Sequence, residues 1–316
     1  MKRAIIVGSE GQDGRFLYEY LLQRGYSVVG VDKKLIRCSH GGSFKKLDIL
    51  RFGEVSGLIK KFQPAEIYYL AAFHHSAENV PSDNVGLMER SYSVHVAGLL
   101  NFLESVRFFC PKARLFYAAS SHVFGDAKDK MQDEHTPVNP NCIYGITKAA
   151  GIALCKLYRH RYGIFSAVGI LYNHESVLRA EHFVSKKIIR GVIDIKRGRQ
   201  NKLVLGNLGA VIDWGYAPDY VRAMYLILTI QTPDDFIVAT GKPYTVLDFV
   251  KVAFGYLRLD WKLYVKEDRR IVSKQDFLRV GNPMKLIKKT GWKPDVSFRE
   301  MITLMIDDEL ARSCSQ

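Results

Sequence analysis

Short apolar runs alternate with amphipathic stretches along the first half of the chain. The runs, such as Ala4-Ile5-Ile6-Val7 and Val28-Val29-Gly30-Val31, have the length and composition of buried strands. The stretches between them repeat apolar residues at helical spacing, as the segment 16–22 does. This pattern predicts strands near 3–8, 27–31, 43–47, 66–71, 113–119 and 165–171, and helices near 13–24, 52–62, 84–107 and 142–162.

The rhythm changes after residue 173. A basic helix, a short strand at 202–205 and a turn at 206–209 come next, whereas the run 236–240 again has the character of a sheet strand. We therefore predict an α/β protein, with a doubly wound parallel Rossmann sheet and a smaller mixed α/β lobe. The predicted domains are 1–173, with return segments near 213–241, and 174–316.

A glycine-rich loop joins the first predicted strand to the first predicted helix. Its spacing, G-x-x-G-x-x-G, is a variant typical of short-chain dehydrogenases. Strand, glycine turn and helix in this order place a pyrophosphate on the helix N-terminus. We therefore predict that the loop binds a dinucleotide cofactor through Gly8, Gly11, Gln12, Asp13 and Gly14.

The residue that ends the second strand bears on the choice of cofactor. A carboxylate at Asp32 would accept hydrogen bonds from the adenosine ribose and repel a 2′-phosphate, which favours NAD. Lys33 and Lys34 follow at once and could bind that phosphate, so NADP stays open. Asp48, after the third strand, is predicted to contact the adenine or to cap the next helix.

Three residues form a candidate catalytic set. Tyr144 and Lys148 are four apart on a predicted helix and therefore project from one face. The ammonium and a neighbouring nicotinamide ribose would lower the tyrosine pKa, so that the phenol serves as a base. Ser120, at the end of a strand, would hydrogen-bond the same substrate oxygen. Together with the glycine loop, this set predicts hydride transfer at a carbinol carbon.

The composition narrows the class of partner. The net charge is +14, from 46 basic and 32 acidic residues, yet the basic residues are scattered and no nucleic-acid recognition motif accompanies them. The densest basic stretch, 186–199, would face an anionic substrate or form a solvated helix face. We predict no nucleic-acid partner and a nucleotide diphosphate as the anion bound.

Hydropathy and cysteine spacing bear on the compartment. No apolar run approaches the ~20 residues of a membrane span. The five cysteines show neither paired nor metal-like spacing. We therefore expect a cytoplasmic protein without a metal site.

Four motifs, taken together, resemble those of GDP-mannose 4,6-dehydratases, which are extended short-chain dehydrogenases. They are Gly8-Ser9-Glu10-Gly11-Gln12-Asp13-Gly14, Tyr172-Asn173-His174-Glu175-Ser176, Asp213-Trp214-Gly215 and Gly291-Trp292-Lys293-Pro294. The resemblance runs along the whole chain. It implies a tightly held nicotinamide cofactor in the first domain, a GDP-sugar in the second, and assembly as a homodimer or homotetramer. The implied reaction is oxidation at C4, elimination of water across C5–C6 and return of the hydride to C6.

The resemblance also assigns roles to single residues. Tyr144 would be the base at the C4 hydroxyl, Lys148 its partner and Ser120 the contact to the C4 oxygen. Asn173 and Lys187 would lie near the substrate diphosphate. The remaining candidates lie around the cofactor cleft or the sugar: Leu70, Ala71, His75, Ser121, Glu175 and Arg270. For His75 and Ser121, ordinary packing in the cleft is the alternative.

Three positions depart from the family's pattern. His122 stands where the dehydratases carry the Glu that takes the C5 proton, although an imidazole also transfers protons near neutral pH. Ile212 replaces an Arg that grips phosphate, so that Arg269, Arg270 or the stretch 186–199 would have to substitute. Asp32 differs from the Arg of NADP-using relatives.

Three functions therefore compete. The first, which we favour, is 4,6-dehydration of GDP-mannose or a GDP-manno-heptose, with His122 as the acid/base. The second is redox at C4 alone, in a 4-ketosugar reductase, a dehydrogenase or a 4-epimerase. The third is a non-catalytic nucleotide-binding protein, against which the intact set Ser120, Tyr144 and Lys148 argues.

Overall fold

The computed structural model describes residues 1–34, 43–73, 83–127, 131–271 and 279–314. The strands are β1 (Arg3–Val7), β2 (Ser27–Asp32), β3 (Ser43–Lys46), β4 (Glu66–Tyr69), β5 (Arg114–Ser120), β6 (Ser166–Leu171), β7 (Asn173–Glu175), β8 (Leu203–Leu205), β9 (Val211–Tyr216), β10 (Asp235–Val238), β11 (Pro243–Thr245) and β12 (Val265–Glu267). The α-helices are α1 (Gln12–Leu22), α2 (Phe52–Phe62), α3 (Asn84–Tyr92), α4 (Gly98–Phe109), α5 (Ile143–Tyr162), α6 (Val184–Lys196), α7 (Ala217–Ile227), α8 (Val246–Tyr256), α9 (Met284–Thr290) and α10 (Phe298–Cys314).

A seven-stranded parallel sheet in the order β10-β6-β5-β4-β1-β2-β3 forms the larger part of the protein. Both faces of its strands, apart from the exposed edge strand β3, are buried, because alternate side chains enter two different cores. Ile5 and Val7 pack in the core that contains residues of α2, α4 and α5, whereas Ala4 and Ile6 pack with residues of α1 and α7. The predicted doubly wound α/β fold is thus confirmed.

The strand order reverses direction next to β1. The chain moves outward from β1 to β2 and β3, then returns to β4 on the other side of β1 and continues to β5 and β6. In such sheets ligands bind beyond the carboxyl ends of the strands, at this switch point. The predicted return to the sheet near 236–240 is β10, which pairs in parallel with β6.

A smaller mixed region covers the carboxyl edge of this sheet. Strands β7, β9 and β11 form one small sheet, and β8 pairs with β12. Helices α6, α8 and α10 enclose a separate core around Trp214, Phe249 and Phe298. Of the segments predicted near 213–241, β10 belongs to the large sheet and β9 to the small one.

The helix predicted over 84–107 is interrupted. Between α3 and α4 the residues Ser93–Ala97 form a π-helical turn. The turn buries His95, whose Nε2 accepts a hydrogen bond from Phe73 N at 3.0 Å and whose Nδ1 lies 2.8 Å from Thr147 Oγ1. Hydrophobic spacing does not reveal one extra residue per turn, so the sequence predicted a single helix.

In the described ranges, no helix combines the length and apolar character that a membrane crossing needs. No group of three or more His, Cys, Asp or Glu side chains there is arranged to hold a metal ion. Cys110, Cys142 and Cys155 are free thiols.

Candidate active site

A cavity of about 760 Å³ lies beyond the carboxyl ends of the sheet strands, between the large sheet and the smaller region. Its walls come from the loop after β1, the ends of β5 and β6, the first turns of α5, and the segments 178–184 and 206–212. Ten predicted residues line it: Gly11, Gln12, Asp13, Leu70, Ser120, Ser121, His122, Tyr144, Lys148 and Asn173.

The glycine loop has the close packing that its spacing predicts. Gly8 has a φ of +88°, and a Cβ there would lie 2.8 Å from the backbone nitrogen of Ala71. A Cβ on Gly14 would lie 2.3 Å from Gly8 O, so α1 approaches the loop too closely for any side chain. Gly11 lines the cavity, and a Cβ there would lie 3.3 Å from Gly8 O. These are the features with which a glycine loop admits a pyrophosphate to a helix N-terminus.

Asp32 lies at the end of β2, directly beside the glycine loop. Its Oδ2 accepts a hydrogen bond from Glu10 N at 3.1 Å, and its Oδ1 accepts one from Lys33 N at 2.7 Å. The carboxylate is therefore held in place by backbone donors. The side chains of Lys33 and Lys34 are exposed.

The end of β5 runs into a short 3-10 turn, Ser121–Phe124, that brings His122 to the cavity. Ser120 Oγ accepts a hydrogen bond from His122 N at 3.4 Å. The His122 ring stands edge-to-face against Tyr144, and its Nδ1 lies 3.7 Å from Cys142 Sγ. A Cβ on Gly145 would lie 2.4 Å from His122 O, so only glycine allows α5 to approach this turn.

Tyr144 and Lys148 project from α5 into the same end of the cavity. Lys148 Nζ donates a hydrogen bond of 2.7 Å to Ala118 O and lies 5.7 Å from the centre of the Tyr144 ring. Burial lowers the pKa of Lys148 to about 7. Burial also raises the pKa of Tyr144 above its ordinary value, against the opposing charge of Arg179 and a hydrogen bond with Ser120. The protein by itself thus does not produce the predicted lowering of the tyrosine pKa.

The cavity wall also carries cations that the sequence did not single out, in a part that we call the arginine end. Arg179 and Arg279 both line it, as does Asn207. Arg179 Nε lies 3.1 Å from Glu175 Oε2, and its guanidinium stacks 3.6 Å from the centre of the Phe183 ring. Arg279 pairs by an isolated bridge with Ile212, the position where an Arg was expected. A cation therefore reaches the cavity from the neighbouring segment.

Several predicted residues lie away from the cavity. Arg270 is 90% exposed and pairs with Asp268, and Lys187 lines a separate surface groove beside Arg190. Neither side chain lines the cavity, and their expected contact with a substrate diphosphate stays a prediction. Asp48 is exposed; it accepts a hydrogen bond from Leu50 N and does not cap α2, which begins after Arg51.

Two further predicted residues, Glu175 and Ala71, are not among the residues that line the cavity. Glu175 is buried outside the cavity, where its Oε2 accepts a hydrogen bond of 2.5 Å from Ser185 Oγ. Ala71 supports the glycine loop through its backbone rather than lining the cavity. His75, with its neighbour His74, lies outside the described residues.

Sequence reasoning missed Arg179 and Arg279 for different reasons. Arg179 follows Glu175 by four residues and lies three residues after the end of the Asn-His-Glu-Ser tetrapeptide, and this proximity was an available signal. Arg279 has no local signal, because the pairing of its segment with Ile212 is a contact between residues far apart in sequence.

Comparisons with known proteins agree with this geometry. The family model for GDP-mannose 4,6-dehydratases matches residues 5–305. One similar protein is GDP-mannose 4,6 dehydratase 2 of Arabidopsis thaliana, 38% identical over 331 residues, which cover 98% of this chain and 87% of the relative.

Solved structures share the fold. The dTDP-glucose 4,6-dehydratase of Bacillus anthracis, in complex with NAD, superposes with a TM-score of 0.84 at 19% identity, covering 99% of this chain and 98% of that one. The UDP-glucose 4-epimerase of Thermotoga maritima, with UDP-glucose, gives a TM-score of 0.84 at 21% identity, covering 99% of this chain and 100% of that one. With the family match along nearly its whole length, the chain belongs to the GDP-mannose 4,6-dehydratase family.

Proposed function

We propose that this protein is an NAD-dependent 4,6-dehydratase of GDP-mannose or a GDP-manno-heptose, with His122 as its acid/base. The observation that carries the proposal is the meeting of Ser120, His122, Tyr144 and Lys148 at one end of a single cavity. Membership of the dehydratase family supports the reaction class.

The residues present fit a nicotinamide dinucleotide. Gly11 lines the cavity directly before α1, and the close packing at Gly8 and Gly14 brings the loop against the N-terminus of that helix. Asp32, fixed by Glu10 N, supports NAD because a carboxylate there repels a 2′-phosphate. When bound, the nicotinamide supplies an acceptor and a donor for hydride.

Three side chains would act at the C4 oxygen of the sugar. Tyr144 would take the hydroxyl proton, and Ser120, already hydrogen-bonded to Tyr144, would hold the same oxygen. Lys148 supports this role because its protonated form, fixed by Ala118 O, stabilises a phenolate nearby. Because burial raises the pKa of Tyr144, its action as a base depends on Lys148 and Ser120.

His122 would carry out the proton transfers of the elimination. A C4 ketone acidifies the C5 proton, which the imidazole would remove and then deliver to the leaving C6 hydroxyl. The contact of Nδ1 with Cys142 Sγ and the edge-to-face packing on Tyr144 support a fixed ring.

The arginine end of the cavity would bind the substrate diphosphate. Arg279, Arg179 and Asn207 offer donors there, and arginine binds phosphate oxygens in pairs. Asn173 also lines the cavity and would contact the sugar or its phosphate.

Redox at C4 alone is the second candidate. One observation favours it: the residue beside Ser120 that would remove the C5 proton is an imidazole, whereas the family carries a carboxylate there. Ser120, Tyr144 and Lys148 alone are sufficient for that reaction.

Solvent deuterium distinguishes the two candidates. For the dehydratase, incubation with GDP-mannose and then with a GDP-manno-heptose in heavy water should place deuterium at C5 of a 6-deoxy-4-keto product, without net consumption of NAD. His122→Ala should abolish that product and His122→Glu should restore it, while the exposed His160→Ala serves as a control. Stoichiometric oxidation of NADH by a 4-ketosugar, with no deuterium at C5, would instead identify a reductase.

We also propose that two copies associate through helices α3 and α5. Val85, Met88 and Tyr92 expose apolar surface along one face of α3, and Ile146 and Leu157 do so on α5. Exposed apolar patches of this kind mark association surfaces. A monomeric mass in sedimentation at micromolar concentration would contradict this assembly. The free thiols support a cytoplasmic location, where cysteines stay reduced.

A further inference from the structure

Two tetrapeptides that lie far apart in sequence meet in one hydrogen-bonded unit. Gln12 Nε2 donates to His174 O at 3.1 Å, and Ser176 Oγ donates to Gln12 Oε1 at 2.8 Å. His174 Nε2 lies 2.9 Å from Asp13 Oδ2. We call these four residues the interlock. It joins the first turn of α1, which follows the glycine loop, to β7.

The interlock fixes the protonation state of His174. Its Nδ1 lies 2.7 Å from the backbone oxygen of Tyr172, and its Nε2 faces the Asp13 carboxylate. Since a carbonyl and a carboxylate only accept, both ring nitrogens must donate, and the ring is an imidazolium. The ring also stacks on Tyr220, with centres 4.6 Å apart.

The charges around His174 are balanced. Burial opposes a charged ring, but the charge and hydrogen bond of Asp13 raise the pKa of His174 above 6.5. Burial likewise opposes the Asp13 carboxylate, yet His174 holds the pKa of Asp13 below 3.8. Arg179, the other charge that faces the ring, is occupied by Glu175. Tyr220, on α7, stays neutral because burial raises its pKa far above 10.

The interlock also connects two functions of β7. Asn173, which precedes His174 on the same short strand, lines the cavity, and Glu175, which follows His174, pairs with Arg179. The strand thus contacts the glycine loop through His174 and the arginine end through Glu175. Asp13 lines the cavity, but its carboxylate pairs with His174 and accepts a hydrogen bond from Gln12 Nε2.

We propose that Asp13 and His174 are positioning residues. They fasten the glycine loop to β7 and thereby fix the position of the cofactor-binding wall of the cavity relative to the sugar-binding wall. The proposal rests on the proposed function in one respect, that the loop binds a nicotinamide dinucleotide. Loss of either partner leaves the other charge buried and the loop free to shift.

A double-mutant cycle on the full-length protein tests the fastening. Asp13→Asn and His174→Gln should each weaken NADH binding about tenfold in calorimetric titration. The double variant should bind NADH no more weakly than the single variant with the lower affinity. In urea unfolding, the losses in free energy of unfolding of the two single variants should likewise not add up in the double variant. Glu309→Gln, which breaks a buried ion pair with Lys186 away from the loop, should lower stability without changing NADH affinity.

The pH dependence gives a second measurement, made on the wild type and on His174→Gln. Because the His174 pKa is raised, its contribution is complete below pH 6.5 and is lost as pH rises through the raised value. Because the Asp13 pKa is lowered, its contribution is complete above pH 3.8. Lys148, whose pKa is about 7, titrates in both proteins. NADH affinity of the wild type should therefore fall more steeply at alkaline pH than that of His174→Gln, and equal slopes would overturn the proposal.

Each contrary result has its own meaning. If Asp13→Asn weakens NADH binding while His174→Gln does not, Asp13 touches the cofactor itself and the proposal is overturned. Additive losses of stability would overturn it equally. A wild type that binds no dinucleotide would defeat the proposed function, whereas the fastening would still be decided by the unfolding cycle.

Discussion

The two ends of the cavity are built in different ways. The end that holds Ser120, Tyr144 and Lys148 consists of the last residue of β5 and the first turns of α5, a helix of 20 residues whose glycine packs onto the preceding turn. The arginine end consists of a loop residue, Arg179, and an isolated bridge, Arg279 with Ile212. One end has backbone geometry fixed by regular elements, and the other gathers side chains from separate segments.

This difference corresponds to the demands of the two tasks. Proton transfer requires that the reacting groups be placed to within a fraction of an ångström, and regular secondary-structure elements provide that precision. A diphosphate can be bound by several arrangements of cations, so a cation lost at Ile212 can be replaced from the neighbouring segment. Substitutions at the two ends should accordingly affect different kinetic constants.

The largest effect should follow Tyr144→Phe. Removing the phenol oxygen should lower kcat on the order of 10²–10⁴-fold, because the phenol is the proposed base at the C4 hydroxyl. NADH affinity, measured by fluorescence titration, should stay nearly the same. Tyr162→Phe, at the exposed end of the same helix, is the control. A fully active Tyr144→Phe enzyme would refute the dehydrogenase chemistry altogether.

At the other end, Arg279→Leu should change KM. Loss of a charge-assisted contact costs about 1.5–3 kcal/mol, so KM for the GDP-sugar should rise roughly 10–100-fold while kcat changes little. Arg270→Leu removes an exposed arginine that pairs only locally and should leave KM unaltered. Equal effects of the two substitutions would mean that long-range charge, not contact, attracts the substrate.

The smallest effect should follow Asp32→Ala, which concerns the adenosine side of the glycine loop. The wild type should prefer NADH to NADPH because the carboxylate repels a 2′-phosphate, and the substitution should narrow that preference by about tenfold or less. Competitive titration with both cofactors measures the ratio. Tighter NADPH binding by the wild type would show that Lys33 and Lys34 dominate.

What could be predicted from the sequence follows the same division. Regular elements leave a periodic signal, so the strands of the large sheet were predicted, with Ser120 at the carboxyl end of β5 and Tyr144 and Lys148 four residues apart on a helix, α5. The π-helical turn at Ser93–Ala97 left no such signal. Arg279 could not be found because its position depends on a pairing between distant segments, which no local pattern encodes.

The placement of β10 has a mechanical consequence. The chain leaves the large sheet after β6, passes through β7 to β9, and comes back to add β10 beside β6 before it leaves again for β11. Several backbone links therefore connect the two regions, and a simple hinge would have to bend all of them together. We expect substrate to enter by rearrangement of cavity loops, and the molecule to unfold in one cooperative transition rather than region by region. A fragment cut after residue 173 would lack an edge strand and expose β6.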